Sequence, residues 1–285
     1  MNLADLFISR AYAEEAKDPY ISFGLEPRFH KIGQNGWIAL GVVVLFAVVM
    51  LIVILTNKKK KWTVRMLTNG AIAISLSFVL SFIRLARMGN GGSVTLASML
   101  PMMLFSAVFG VGPGVAAGLI YGVLQYLQGG DFLSVWQVIF DYLIAFAALG
   151  LAGLYRYTKQ GWQVWLTIGL SAVLLVLMII GYPSIWGLYA VLLAALAVLA
   201  FFVARDPERF SLLPAMGIAV LGRAASAVIA GLMWVAAYPV EGQAPFVYSV
   251  IYNGAYLVPE LVICMAVAGL TGNRLLRMME QQAKK

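Results

Sequence analysis

Long apolar stretches dominate the chain, and short polar or glycine-rich segments interrupt them. A helix of about 20 apolar residues crosses the hydrocarbon core of a bilayer, so each such stretch predicts one membrane span. The pattern predicts nine spans, at residues 37–56, 66–88, 94–109, 113–127, 134–155, 162–181, 185–204, 212–238 and 248–272. The third and fourth are short and a glycine-rich turn separates them, so we expect both to be tilted or partly sheltered.

Composition supports a polytopic membrane protein. Hydrophobic residues make up 62% of the chain and charged residues 11%, against about 45–50% and about 25% in soluble proteins. One His, one Cys and twelve Asp and Glu supply too few ligands and nucleophiles for zinc clusters or Cys/His catalytic pairs. We therefore predict no metal, no other cofactor and no enzymatic activity. The net charge of +8 requires no nucleic acid, because the lysines at 58–61 are typical of juxtamembrane charge.

The charges of the loops predict the orientation, because loops rich in Lys and Arg near span ends stay in the cytoplasm. One set of alternating loops contains Lys58, Lys59, Lys60, Lys61, Arg65, Arg156, Lys159, Arg205, Arg209, Arg274, Arg277, Lys284 and Lys285. The opposite loops, at 128–133, 182–184 and 239–247, contain no Lys or Arg. The N-terminus is therefore predicted outside and the C-terminal tail in the cytoplasm.

Charged side chains inside the spans are the first candidates for function, since each costs at least about 2.5–3.5 kcal/mol at mid-bilayer. Arg84 and Arg87 lie near the outer end of their span, so we expect them to extend outward and to lie outside the main site. Arg223 and Glu260 lie at matching depths near the midplane. Their spacing favours a structural ion pair, and a proton-carrying carboxylate at Glu260 is the alternative.

Asp141 lies about 10 Å deep in a helix that enters from the predicted outer side, with Tyr142 next to it. Gln137 is one helical turn earlier and shares the face of Asp141, and Trp136 precedes it. We count Gln137 and Trp136 among the candidate ligand-binding residues. Asp141 is either a ligand-binding carboxylate or the partner of an Arg that locks two helices together.

The last span begins with aromatic residues and an amide at a depth close to that of Asp141. Tyr248 and Tyr252 are one turn apart, Asn253 lies beside them, and Trp234 lies near the outer end of the preceding span. Interfacial Tyr and Trp commonly form an aromatic belt, whereas an amide inside a bundle needs hydrogen-bond partners. With Asp141, these residues predict a pocket for a small, flat, cationic heterocycle.

Several motifs occur in a fixed order within residues 67–156 and 212–275, roughly half of the chain. They are Gly91-Gly92-Ser93-Val94-Thr95-Leu96, Phe109-Gly110-Val111-Gly112-Pro113-Gly114, Asp141-Tyr142-Leu143-Ile144-Ala145-Phe146 and Tyr248-Ser249-Val250-Ile251-Tyr252-Asn253. In this order they resemble the thiamine-specific S components of energy-coupling factor (ECF) transporters, a family also called proton-coupled thiamine transporters.

The resemblance implies a thiamine site near the outer face of six core helices in a bacterial plasma membrane. It implies binding roles for Asp141 and Tyr142 on the fourth core helix and for Tyr248 and Asn253 on the sixth, with Trp234 as the nearest aromatic residue on the fifth. The family commonly has a His in the fifth core helix, where this chain has Ala227.

The resemblance also implies partners: a transmembrane coupling subunit and ATPase subunits. Ala71 and Ser75, repeated in register by Ala73 and Ser77, offer a face of small residues on the first core helix, which serves either docking of the coupling subunit or ordinary packing between helices. This chain contains no phosphate-binding loop motif, so we do not expect it to hydrolyse ATP by itself.

The predicted fold is an all-α polytopic membrane protein with six core helices and about three extra ones. It comprises an external extension at 1–35, an extra span at 36–57, core helices one to four at 66–156, an inserted pair at 162–205, core helices five and six at 211–275 and a tail at 276–285. Two alternatives remain open: a solitary proton-coupled carrier of thiamine or a related heterocycle, and a non-transporting membrane scaffold.

Overall fold

The computed structural model describes residues 20–25, 41, 44, 48, 62–88, 91–131, 133–158, 160–240, 242–271, 274, 276–278 and 281. Of the predicted first span, only Gly41, Val44 and Val48 are described, and all three are helical. The rest of that span, most of the predicted extension at 1–35, the lysines at 58–61 and most of the tail lie outside the described residues.

Three strands and eight main helices make up the described chain. The strands are β1 (Tyr20–Leu25), β2 (Ile83–Arg87) and β3 (Ser93–Thr95). The helices are α1 (Val64–Ser81), α2 (Leu100–Phe109), α3 (Val111–Leu127), α4 (Val135–Tyr157), α5 (Gly161–Gly181), α6 (Trp186–Arg205), α7 (Leu213–Ala237) and α8 (Pro245–Thr271). Within the described residues, α1 and α4 to α8 are each long and apolar enough to cross a membrane. The prediction of a multi-pass, mainly helical membrane protein is confirmed.

The predicted spans at 66–88 and 94–109 are corrected where they approach each other. Helix α1 ends at Ser81 and α2 begins at Leu100, and the residues between them form β2 and β3. These strands are antiparallel, and β1 pairs with the other edge of β2. Strand pairing satisfies backbone groups that a longer helix would satisfy internally. Hydrophobicity missed this sheet because a short apolar run does not distinguish a strand from a helix end.

The two short helices are sheltered, as expected. Every residue of α2 except Leu104 is buried. Helix α3 packs closely against α4 through Gly114, Gly118 and Gly122, which recur every four residues. A Cβ atom at Gly118 would lie 2.4 Å from the carbonyl oxygen of Phe146 in α4. Because only glycine permits this approach, the ridge fixes the part of α4 that contains Asp141.

Helices α5 and α6 form an antiparallel pair beside α7 and α8, whereas α1 packs mainly against α2 and α3. The pair buries one stripe on each helix, including Ile168 and Leu175 on α5 and Leu192 and Leu199 on α6. Its other faces expose large apolar side chains such as Trp165, which suits contact with lipid acyl chains.

Candidate functional site

A cavity of about 840 Å³ lies between the β2–β3 hairpin, the C-terminal end of α3, and helices α4, α7 and α8. It lies toward the helix ends that the charge pattern predicts to be outside. Its walls contain aromatic rings, hydroxyls, amides and both signs of charge. A cavity of this size, in which polar and charged groups lie among aromatic rings, suits a small polar molecule.

Asp141 reaches the cavity from an irregular part of α4. Residues Ile139–Ile144 form a π-helical turn within this helix, a feature that is frequent at functional sites. The Asp141 side chain is half-buried and lines the cavity. Gln137 is fully buried and donates a hydrogen bond from Nε2 to Asp141 Oδ2 at 3.0 Å, while its Oε1 accepts from the Leu133 amide at 3.2 Å. The amide thus orients the carboxylate.

Tyr142 lines the same wall. Its hydroxyl accepts a hydrogen bond from the backbone amide of Asp131 at 3.2 Å, and its ring meets Tyr126 edge to face at a centroid distance of 5.2 Å. Asp131, which lies in a loop predicted to be external, also lines the cavity. These contacts hold Tyr142 between α4 and that loop.

Aromatic rings form much of the opposite wall. Tyr248 and Tyr252 lie one helical turn apart on α8 with nearly parallel rings, 6.1 Å between centroids and 9° between planes. Trp234 of α7 stacks on Tyr238 at 5.8 Å. All four residues line the cavity, so their faces are available to a flat or cationic ligand.

Asn253 has protein partners for both ends of its amide. Its Nδ2 donates to the carbonyl oxygens of Ser249 at 2.9 Å and Ala227 at 3.3 Å, and its Oδ1 accepts from the Tyr256 hydroxyl at 2.7 Å. Asn253 therefore ties α8 to α7, and both N–H groups of its amide already have protein acceptors. Ala227 lies on the cavity wall, so its small side chain leaves room where the resemblance led us to expect His.

Arg223 and Glu260 lie together on the cavity wall, within a larger polar network. Arg223 Nη1 is 3.8 Å from Glu260 Oε2, and the guanidinium lies 4.3 Å from the ring centroid of Phe146. Glu260 Oε1 accepts hydrogen bonds from the hydroxyls of Thr95 and, at 2.7 Å, Ser98. The carboxylate is 1% exposed, so its charge is balanced almost entirely by protein groups.

The β2–β3 hairpin covers part of the cavity and contacts α8 directly. The amide of Gly92 donates to the Tyr252 hydroxyl at 2.9 Å. A Cβ atom at Gly92 would lie 2.8 Å from Tyr256 Cδ1, so glycine is needed for the turn to lie against these tyrosines. The Gly91-Gly92 motif is thus explained by close approach to the site.

Two interpretations made from the sequence are corrected by these positions. Trp136 is 66% exposed and lies outside the cavity, because adjacent helical residues point about 100° apart and Gln137 takes the inward direction. Its position suits an aromatic belt instead. Arg84 was expected outside the site but lines the cavity, because α1 ends at Ser81 and the following residues are extended. Arg87 is 6% exposed and so does not extend outward.

The proposed docking face is divided by the structure. Ala71 and Ser75 are exposed on α1, whereas Ala73 and Ser77 are buried in the protein. Only the first pair is therefore accessible to a partner.

Sequence reasoning missed several cavity residues, among them Thr95, Ser98, Gln125 and Gln128. Thr95 and Ser98 form one pair, and Gln125 and Gln128 form another. In each pair the two polar residues are three positions apart at the edge of an apolar run, and this spacing was the signal that could have identified them. Gln125 Nε2 is buried and, within the described residues, has no hydrogen-bond partner. It is therefore a donor that a ligand in the cavity can use.

Comparisons with known proteins all match thiamine transporters. The profile of the family described as "Thiamine transporter protein" (Thia_YuaJ) matches residues 67–280, most of the chain. The thiamine transporter ThiT of Bacillus subtilis (strain 168) is 29% identical over 194 residues, 67% of this chain and 81% of that protein. A solved structure of ThiT from Listeria monocytogenes has a TM-score of 0.51 at 21% identity, covering 74% of this chain and 96% of that chain. The structural match establishes similarity of fold.

Proposed function

The chain belongs to the thiamine transporter protein family, and we propose that it is the membrane-embedded, thiamine-binding subunit of an ECF-type uptake system in a bacterial plasma membrane. Thiamine joins an aminopyrimidine ring to a permanently cationic thiazolium ring. A site for it needs aromatic faces, an acidic group and hydrogen-bond partners for the pyrimidine. The cavity contains all three.

The observation that carries the proposal is the position of Asp141 relative to the aromatic wall. Its carboxylate lines the cavity together with Trp234, Tyr248 and Tyr252. Within the described residues its one hydrogen-bond partner is the neutral amide of Gln137, and the positive charge of Arg223 acts on it without an ion-pair contact, so the carboxylate can still accept a cationic partner. Glu260 lines the same cavity but is already matched by Arg223 and two hydroxyls. A cationic ligand would therefore gain most from Asp141.

We assign Tyr142, Tyr248 and Trp234 to direct contact with the ligand, and Gln137 to the orientation of Asp141. The amide of Asn253 holds α7 against α8 and so shapes the wall on which the aromatic residues lie. Trp136 is left out of the site because of its exposure.

The packing of the extra helices α5 and α6 helps to distinguish a solitary carrier from a subunit that docks on a coupling partner. In the solitary-carrier alternative, the extra helices would take the place of a coupling subunit. They pack mainly against α7 and α8, however, and Ala71 and Ser75 on α1 are exposed. A partner can therefore reach this face, which supports docking of a transmembrane coupling subunit and its ATPases.

Calorimetric titration of the purified, detergent-solubilised chain with thiamine tests the binding assignment. We expect saturable binding of thiamine and much weaker binding of an analogue whose thiazolium is replaced by an uncharged thiophene ring, because the analogue loses the attraction to Asp141. Equal affinity for both compounds would contradict the assignment of Asp141. No thiamine binding by folded protein would favour the scaffold alternative.

Transport assays separate the subunit from the solitary carrier. Proteoliposomes that contain this chain alone should not accumulate thiamine under a proton gradient, whereas cells that co-express it with ECF coupling and ATPase subunits should. Ala71→Phe with Ser75→Phe should abolish that uptake and leave binding intact, and Ile72→Phe, at an exposed apolar position on the same helix, is the control. Gradient-driven accumulation by the chain alone, lost in Glu260→Gln, would establish the solitary carrier.

A further inference from the structure

Helix α8 contains a proline in its interior, within the stretch that lines the cavity. Pro259 has no backbone N–H, so the carbonyl oxygen of Ala255, four residues earlier, lacks its normal intrahelical donor. Ala255 is fully buried, and an unsatisfied buried carbonyl is costly in a membrane protein. This oxygen therefore requires a donor from elsewhere.

The donor comes from the helix pair α5–α6. Tyr189, in the first turn of α6, is fully buried, and its hydroxyl donates a hydrogen bond to Ala255 O at 3.2 Å. Proline is tolerated in membrane helices where a neighbouring side chain satisfies the freed carbonyl in this way. A buried tyrosine also needs a partner for its own hydroxyl, so the contact satisfies both groups.

The contact lies directly behind the binding site. Tyr252, Tyr256 and Glu260 follow one another at intervals of four residues on the face of α8 that lines the cavity. The opposite face meets the helix pair: a Cβ atom at Gly254 would lie 3.1 Å from Met178 Sδ of α5. The helix pair therefore supports α8 at the level of the site, on the side away from the ligand.

We propose that Tyr189 is a positioning residue of the binding site. Its hydroxyl substitutes for the missing N–H of Pro259 and, through the Ala255 carbonyl, holds the turn of α8 that carries Asn253, Tyr256 and Glu260. This gives the helix pair a role in the site itself, in addition to any role in the membrane. The support of α8 is independent of the ligand's identity, and only the affinity measurement below rests on the proposed function.

A double-mutant cycle tests the proposal in the full-length protein, with Tyr189→Phe, Pro259→Ala and the double variant. Thermal unfolding in detergent and thiamine affinity are measured for each. With Pro259 present, Tyr189→Phe should lower the melting temperature and weaken thiamine binding about three- to tenfold, the range expected for one net hydrogen bond. In the Pro259→Ala background the restored N–H satisfies Ala255 O, so Tyr189→Phe should change the affinity less than about twofold.

Tyr155→Phe is the matched control, because Tyr155 is also buried, its hydroxyl is hydrogen-bonded to Ser211 Oγ at the same distance of 3.2 Å, and it does not line the cavity. It should lower the melting temperature without weakening thiamine binding, in either background. Equal effects of Tyr189→Phe in both backgrounds would overturn the proposal. If Pro259→Ala does not fold, the comparison of Tyr189→Phe with Tyr155→Phe still decides, since equal thiamine affinities would refute a positioning role. If the wild type binds no thiamine, the proposed function fails, and the melting temperatures of the cycle still test the support of α8.

Discussion

Of the three carboxylates that line the cavity, Asp141 and Glu260 lie within membrane spans, and the regions that hold these two differ. Around Glu260, β3, the following turn and α7 supply two hydroxyls and a guanidinium, and the residue is 1% exposed. Asp141 lies in the π-helical turn of α4, the preceding α-helical turn supplies one amide from Gln137, and the residue is half-buried. The protein supplies partners for the carboxylate of Glu260, and we call this the saturated region. The carboxylate of Asp141 has fewer partners, so its surroundings are the region with spare capacity for a ligand.

The comparison shows that an acidic residue inside a span does not reveal its role by position alone. Both residues lie in apolar stretches, and both were candidates for chemistry in the sequence. The number and charge of their partners separate them, because a buried charge is stabilised either by the protein or by what the protein binds.

The largest expected effect is on stability, at the saturated region. Glu260→Ala removes one partner of a buried ion pair and leaves Arg223 without it, so we expect a loss of about 3–5 kcal/mol in the free energy of unfolding. Chemical denaturation in detergent measures the change. Asp141→Ala is the matched variant and should cost far less. Equal destabilisation by the two substitutions would remove the distinction between the two regions.

The second effect is on affinity, at the region with spare capacity. Asp141→Asn keeps the shape of the side chain and removes its charge, so thiamine binding should weaken by about 1.5–3 kcal/mol, or roughly 10- to 150-fold. Calorimetric titration measures this change, and the melting temperature without ligand should stay close to that of the wild type. The uncharged thiophene analogue should lose much less affinity on the same substitution. A similar loss for both ligands would mean that Asp141 does not interact with the cation.

Six of the eight main helices of the described residues have both ends within three residues of the predicted limits, because membrane spans are set by one physical requirement, a sufficient length of apolar residues. The sequence did not predict the β2–β3 hairpin, because pairing between Ala86 and Val94 depends on backbone partners rather than on periodicity. The π-helical turn at Asp141 was equally inaccessible, since hydrophobic periodicity does not distinguish it from a regular α-helical turn.

Site residues could be predicted as far as charge and helical spacing allow. Spacing placed Gln137 on the face of Asp141, and the structure joins them by a hydrogen bond. The direction in which each side chain points was harder to predict, because Trp136 is next to Gln137 in the sequence but faces away from the cavity. Tyr189 offered no signal, since its importance arises only when a distant helix brings Pro259 beside it.

A smaller effect should follow from changing the support of Asp141. Gln137→Met keeps the length of the side chain and removes the hydrogen bond to Oδ2, so we expect about a three- to tenfold loss of thiamine affinity. The same substitution in the Asp141→Asn background should have little further effect, because there is no longer a carboxylate to orient. Additive losses in the double variant would instead indicate that Gln137 contacts the ligand independently.

The smallest effect concerns two tryptophans that the sequence treated alike. Trp234 lines the cavity, whereas Trp136 is 66% exposed outside it. Trp136→Phe should change thiamine affinity less than about twofold, and Trp234→Phe should weaken it by about 0.5–1.5 kcal/mol, the range of an aromatic contact beyond its buried area. Tryptophan fluorescence adds a second test, since a ligand quenches mainly the indoles it contacts. The thiamine-dependent signal should persist in Trp136→Phe and diminish in Trp234→Phe, and the reverse result would place the ligand outside the cavity, at the predicted aromatic belt.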